Sequence, residues 1–276
     1  MRIFIALVSV LLLGTHAHAC SIDTPCDVAD RAYYIAMPED AQGPYPAVVF
    51  IHGWGSSGSG ALKNSGMVSA FNARGYAVIA PDGVPRQGRN GRSWGFHPRS
   101  GRQLDEISFL ADVRDDATDR FNLDPEQVVL AGFSIGGSMT AYVACLAPES
   151  FAAYAPLGGN FWRPHPTECA GPVRLLHTHG WNDGTVPLEG RAVNDLPADD
   201  PNAFVQGDIF HALSVWRQAN GCPHLKADSF VTDGPYWRRS WERCTPGSAL
   251  EFAIFPGGHS VPRTWPDLVA DWFEGL

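Results

Sequence analysis

The chain has 276 residues, 45% of them hydrophobic and 18% charged, enough for one large α/β domain. Its net charge of −9 at pH 7 and lack of a basic cluster exclude nucleic acid and an anionic membrane surface as expected partners.

In chain order, Met1-Arg2 is followed by an apolar run from Ile3 to Leu13 and closes on Ala17-His18-Ala19. This grammar predicts a cleaved signal over residues 1–19, a mature chain over 20–276, and a secreted or periplasmic location. The apolar run is too short to span a bilayer. A lipid-anchored Cys20 is the rival reading, and His18 sits where that signal prefers a small residue. Ala32–Ala36 reads as a strand ended by Pro38, and Val48–Ile51 as a short buried strand closed by His52-Gly53-Trp54-Gly55. Ala61–Arg74 reads as a helix stopped by Gly75, and Tyr76–Ala80 as a strand stopped by Pro81. Gln87–Arg102 is rich in glycine and arginine, has no period, and reads as a loop. From Leu104, apolar residues recur at Ile107, Leu110, Val113 and Ala117, the spacing of an amphipathic helix. Val128–Ala131, Phe151–Ala155, Val173–Leu176 and Phe252–Phe255 are further strands, and Asp208–Trp216 and Trp265–Phe273 further helices. Strands alternating with helices predict a mainly parallel sheet covered on both faces, in a single domain.

Six cysteines remain after cleavage at Ala19: Cys20, Cys26, Cys145, Cys169, Cys222 and Cys244. An even count in an exported chain points to disulfides, and six allow fifteen connectivities. Sequence neighbours suggest 20–26, 145–169 and 222–244. The absence of a C-x-x-C pair speaks against zinc, and the sequence calls for no metal and no cofactor.

Two segments read G-x-S-x-G: Gly132-Phe133-Ser134-Ile135-Gly136 and Gly91-Arg92-Ser93-Trp94-Gly95. A nucleophile elbow needs a strand before the serine, small residues either side where the backbone doubles back, and a helix after it. Ser134 has all three; Ser93 has the glycines but follows a polar, glycine-rich stretch and lacks the strand and the helix. A serine hydroxyl also needs a base to take its proton. In the α/β-hydrolase fold, acid and histidine follow the serine in that order, each after a strand. Asp183 in "HTHGWNDGTVP" and His259 in "FPGGHSVP" occupy those places. The loop at Trp54 follows the Val48–Ile51 strand, so the backbone N–H of Trp54 is expected to pair with that of Ile135 as an oxyanion hole. Trp54, Trp94 and Trp181 are candidates to line a substrate groove. The short Ala155–Val173 interval leaves little room for a cap, so an open cleft suited to bulky or polymeric esters is expected, with residues 190–250 able to fold over it.

Together these residues resemble the secreted esterases grouped with polyhydroxybutyrate depolymerases and feruloyl or acetylxylan esterases. The resemblance rests on the HGWG segment, "NLDPEQVVLAGFSIGGSMT", "HTHGWNDGTVPLEG", Asn220-Gly221-Cys222 with Cys244, and "GGHSVP". It implies an α/β-hydrolase fold without a large cap, a triad at Ser134, Asp183 and His259, disulfides at Cys145/Cys169 and Cys222/Cys244, and an ester substrate. A monomer is the expectation. The chain departs from the family's H-x-W-P at His259-Ser260-Val261-Pro262, and shows no appended polymer-binding domain. Three rival readings stand beside it. A prolyl-oligopeptidase-like serine peptidase would share the elbow, but no acidic anchor or propeller is visible. A metallohydrolase is prompted by His177-x-His179 and Asp183, but Gly180-Trp181-Asn182 breaks the expected H-x-H-x-D-H. A binding module that has lost its chemistry would have had to keep all three triad residues.

Overall fold

The computed structural model describes residues 20–39, 41–193 and 196–276; the expected signal over 1–19 lies outside the described residues. The strands are β1 (Cys26–Val28), β2 (Arg31–Ala36), β3 (Tyr45–Ile51), β4 (Ala77–Pro81), β5 (Val84–Pro85), β6 (Arg92–Ser93), β7 (Leu123–Phe133), β8 (Ala153–Leu157), β9 (Arg174–Gly180), β10 (Ser229–Val231), β11 (Trp237–Trp241) and β12 (Ala249–Phe255). The helices are α1 (Gly58–Leu62), α2 (Ser65–Ala73), α3 (Gln103–Phe121), α4 (Ile135–Leu146), α5 (Ile209–Ala219) and α6 (Trp265–Glu274).

Ten strands form one sheet in the order β1-β2-β4-β3-β7-β8-β9-β12-β11-β10. The six from β4 to β12 run parallel, and antiparallel strands finish each side. Continuous apolar runs are what a strand covered on both faces requires. Val48, Val49, Val129 and Leu130 are fully buried accordingly, and alternate along each strand between two cores. One core is made with α3, α4 and α5, the other with α1, α2 and α6. The mainly parallel sheet covered on both faces is the one that the alternation of strands and helices predicts, and it fits the α/β-hydrolase fold that the resemblance implies.

The expected helix over 61–74 is two helices. Ser57 Oγ caps the first by accepting from Gly60 N, and Asn64 Oδ1 caps the second by accepting from Met67 N, so the chain restarts at Asn64. Two strands on one side, β10 and β11, were not anticipated. Cys20 pairs with Cys26, Cys145 with Cys169, and Cys222 with Cys244, the pairs that sequence adjacency suggested.

Candidate active site

The parallel strands β3, β7, β8, β9 and β12 all end at one edge of the sheet, where ligands of open α/β sheets are bound. Ser134 follows β7 and caps α4 with φ 61° and ψ −124°, a left-handed φ that a serine adopts only when the surroundings impose it. The imposition is visible. A Cβ on Gly132 would stand 2.4 Å from Gly136 O, and one on Gly136 would stand 2.2 Å from Ile51 O, so neither position accepts a side chain. Ser134 N donates to Leu157 O on β8 at 2.9 Å, which ties the elbow to the neighbouring strand.

Asp183 lies in the loop after β9 and His259 in the loop after β12. His259 Nδ1 donates to Asp183 Oδ2 at 2.7 Å. The other carboxylate oxygen accepts from the N–H groups of Thr185 and Val186 at 2.9 and 2.8 Å. Burial pushes the Asp183 carboxyl up, but the bonds from His259 and Val186 and the nearby imidazole charges outweigh it and hold the carboxyl below its usual range. The His259 ring packs on Phe133, 4.6 Å between centroids, and on the backbone of Gly158, where a Cβ would be 3.5 Å from ring atoms Nδ1 and Cε1. Phe133 immediately precedes Ser134, so the serine and the imidazole share a neighbour. Ser134 Oγ itself makes no hydrogen bond to His259 among the described residues.

The loop after β3 approaches the serine from the other side. A Cβ on Gly53 would stand 3.5 Å from Ser134 Cβ, which brings the Trp54 backbone beside the start of α4. Ile135 N is the first N–H of that helix, a position with no partner inside the helix. The segment at Gly53-Trp54 and the start of α4 therefore flank Ser134.

Trp94, expected along the groove, is instead buried at 4% exposure, and its indole N–H donates to His52 O at 3.0 Å. Its ring packs on His52, so it supports the loop at Trp54 from behind. The second G-x-S-x-G thus has a structural use. Arg92 exchanges backbone bonds with that loop (Gly55 N to Arg92 O, 2.9 Å; Arg92 N to Ser56 O, 3.0 Å), and its guanidinium pairs with buried Asp82 at 3.0 Å. Asp82 in turn accepts from Gly58 N at 2.7 Å.

Trp54 is exposed and lines a cavity of about 370 Å³ with Ser134 and Ile135. Phe96, Ser138, Trp162, Thr185, Val186, Arg191, Val193 and Gln206 complete its walls. Sequence reasoning missed these. They carry no motif, and residues 185–193 and 205–206 reach the cleft through bridges pairing Ala192 with Val205 and Trp162 with Gln206. Trp181 is exposed at the end of β9, outside that cavity.

Behind the acid lies a buried chain of polar groups that the sequence did not disclose. Asn160 Nδ2 lies 3.0 Å from His177 Nδ1, His177 Nε2 3.1 Å from His179 Nδ1, and His179 Nε2 2.8 Å from Val186 O. One proton arrangement satisfies every link: Asn160 donates to His177, His177 to His179, and His179 to the carbonyl. Both imidazoles are then neutral, and burial lowers the basicity of each. The pair that prompted a metal reading is consumed by these bonds.

The chain belongs to the alpha/beta hydrolase fold family, whose pattern matches residues 46–242. It is similar to Feruloyl esterase B of Piromyces equi, 26% identical over 203 residues covering 70% of this chain and 36% of that protein. It is also similar to Feruloyl esterase C of Emericella nidulans, 25% identical over 83% of this chain and 76% of that one. Among solved structures, the acetyl xylan esterase from Aspergillus awamori superposes with a TM-score of 0.64 over 90% of this chain and 95% of that one; at 17% identity this is a likeness of fold. The chain spans about a third of the length of Feruloyl esterase B and of the bifunctional acetylxylan esterase/xylanase XynS20E of Neocallimastix patriciarum, 36% and 34%.

Proposed function

We propose that the chain is an exported serine carboxylic ester hydrolase that works through an acyl-enzyme on acetyl or feruloyl esters of plant polysaccharides. The observation that carries this is the 2.7 Å bond from His259 to Asp183 at the sheet edge where a strained elbow holds Ser134. Three disulfides support passage through an oxidising compartment.

In this reading Asp183 fixes the imidazole with its proton on Nδ1, leaving Nε2 to accept the Ser134 proton. Ser134 Oγ attacks the ester carbonyl, and the N–H groups of Trp54 and Ile135 receive the oxyanion. His259 then protonates the departing alcohol, and water repeats the steps on the acyl-enzyme. The contact between Ser134 and His259 tightens when substrate fills the cleft, as such contacts often do. The largely apolar walls of the cleft, with Trp54, Phe96, Trp162 and Val186 beside the polar Arg191 and Gln206, suit a planar or small acyl group. No observation favours a peptidase.

The test is labelling by a fluorophosphonate and hydrolysis of a soluble acetyl ester. Ser134→Ala should lose both, and Ser93→Ala should keep both because Ser93 belongs to the support behind the loop. An active Ser134→Ala protein would end the proposal. Comparing acetylated xylan, feruloylated sugars and a hydroxyalkanoate oligomer ranks the substrates.

A further inference from the structure

Nine tryptophans occur in the chain. Six (Trp94, Trp162, Trp216, Trp241, Trp265 and Trp272) are less than 10% exposed, and the other three are more than half exposed: Trp54 at 59%, Trp181 at 56% and Trp237 at 53%. A single exposed aromatic needs no explanation. The distribution of these three does, because all of them stand at the edge of the sheet that carries Ser134.

Trp54 follows the carboxyl end of β3, and Trp181 that of β9. Trp237 begins β11, which runs antiparallel to β12, so its first residue sits beside the last residues of β12. The register is explicit: Trp237 pairs with Ile254, and Ile254 with His179, whose Nε2 is 3.6 Å from Asp183 Oδ2. Val231 at the end of β10 pairs with Arg238, so β10 stops short of Trp237 and leaves it uncovered on that side. Four strand steps separate β7, which carries Ser134, from β11, or about 19 Å along the edge at ~4.8 Å per step. Trp54 lies one step to the other side of the nucleophile.

We propose that Trp237 is a distal subsite for a neutral polysaccharide backbone, with Trp181 between it and Ser134 along the sheet edge and Trp54 beyond Ser134. This rests on the esterase reading above. A tryptophan face is electron-rich and attracts the C–H bonds of a sugar ring laid flat on it, as it attracts other positive edges. Rings held apart along a line bind an extended chain at intervals while one pendant ester enters the cleft at Ser134. The surface between them favours a sugar chain over an apolar polymer: Asn182, Gly184, Ser260 and Arg263 are exposed there, so the apolar platforms are discrete. An aliphatic polyester would gain from a continuous apolar surface, which this edge does not offer.

The test uses the full chain and xylan stripped of its esters, so binding is read without hydrolysis. In affinity electrophoresis the wild type should be retarded. Trp237→Ala should bind about tenfold more weakly, the size of one aromatic stacking contact. Trp237→Phe should fall between them, and Leu225→Ala, an exposed apolar residue whose carbonyl accepts from Trp241 at the opposite end of β11, should bind as the wild type. Unchanged binding by Trp237→Ala overturns the inference, as does retention on a hydroxybutyrate polyester, in place of xylan, that depends on Trp237. If the protein hydrolyses soluble esters through Ser134 yet ignores xylan, the inference fails and the esterase reading stands. Loss of Ser134-dependent hydrolysis is the separate result that removes the reading beneath it.

Discussion

Asp183 binds His259 through one carboxylate oxygen at 2.7 Å while its other oxygen is held by two backbone N–H groups. The acid therefore cannot rotate to serve a different partner, and the imidazole has one orientation and one tautomer. Asp183→Asn preserves the shape but can present an N–H to Nδ1, favouring the wrong tautomer. We expect kcat to fall about 10⁴-fold with KM little changed. Steady-state kinetics on a soluble ester check this, and a fall of less than tenfold would remove Asp183 from the proposed triad.

The buried pair His177 and His179 makes a prediction about stability. Unfolded histidines take up protons below pH ~6.5, whereas burial keeps these two neutral in the native state. The unfolded chain then binds more protons, so native stability falls as pH drops below ~6.5, by up to about 1.4 kcal/mol per pH unit for each histidine. His165, held down to about 4 by burial and by His211, adds to the same slope. Asp183 has the opposite window: its depressed folded pKa gives stability above the unfolded value near 3.9, which is lost only as pH falls through the folded value. Denaturant melts from pH 7 to pH 5 should show the histidine slope in the wild type and a smaller one in His177→Asn. Equal slopes would contradict it.

The periodic and punctuated parts of this chain were legible in its sequence. Val128–Ala131 before Gly132-Phe133-Ser134 can be little else than a buried strand turning into a helix, and the order of Ser134, Asp183 and His259 reflects strand ends that the topology puts on one edge. Features made by long-range contact were hidden. Nothing local marks Trp94 as buried, because its indole is satisfied by His52 O, 42 residues upstream. The stretch Trp237–Trp241 mixes two tryptophans with two arginines; pairing with β10 and β12 and the Arg238–Glu251 ion pair make it a strand. Likewise Arg191, Val193 and Gln206 reach the cleft by isolated bridges that carry no sequence pattern.

Support for the proposed oxyanion loop is testable apart from the loop itself. Trp94→Phe keeps the ring beside His52 but removes the donor to His52 O, a bond worth about 1 kcal/mol. The expected result is a fold that survives, with kcat lowered several-fold and KM held, since the N–H of Trp54 acts on charge that appears only in the transition state. Arg92→Ala should act more on stability, because it leaves the Asp82 carboxylate buried with less compensation, a cost of about 1–3 kcal/mol. A Trp94→Phe enzyme altered in KM alone would assign Trp94 to substrate contact.

Ser134 gives the sharpest separation of stability from activity. Its φ of 61° is costly for any residue with a Cβ, and the elbow is held by the close approach of Gly136 to β3 and by the bond from Ser134 N to Leu157 O. Glycine adopts such a φ without that cost. Ser134→Gly should therefore melt higher than Ser134→Ala, by an amount reflecting about 1–3 kcal/mol of backbone strain, and above the wild type as well. Both variants lack the hydroxyl and should be inactive. Placing glycine at 134 while the elbow stays in register makes the comparison one of backbone strain, since Ser134→Ala controls for the loss of the oxygen. If Ser134→Gly proved no more stable than Ser134→Ala, the strain assigned to the nucleophile's backbone would be absent, and the elbow would have to be held by its side-chain contacts instead.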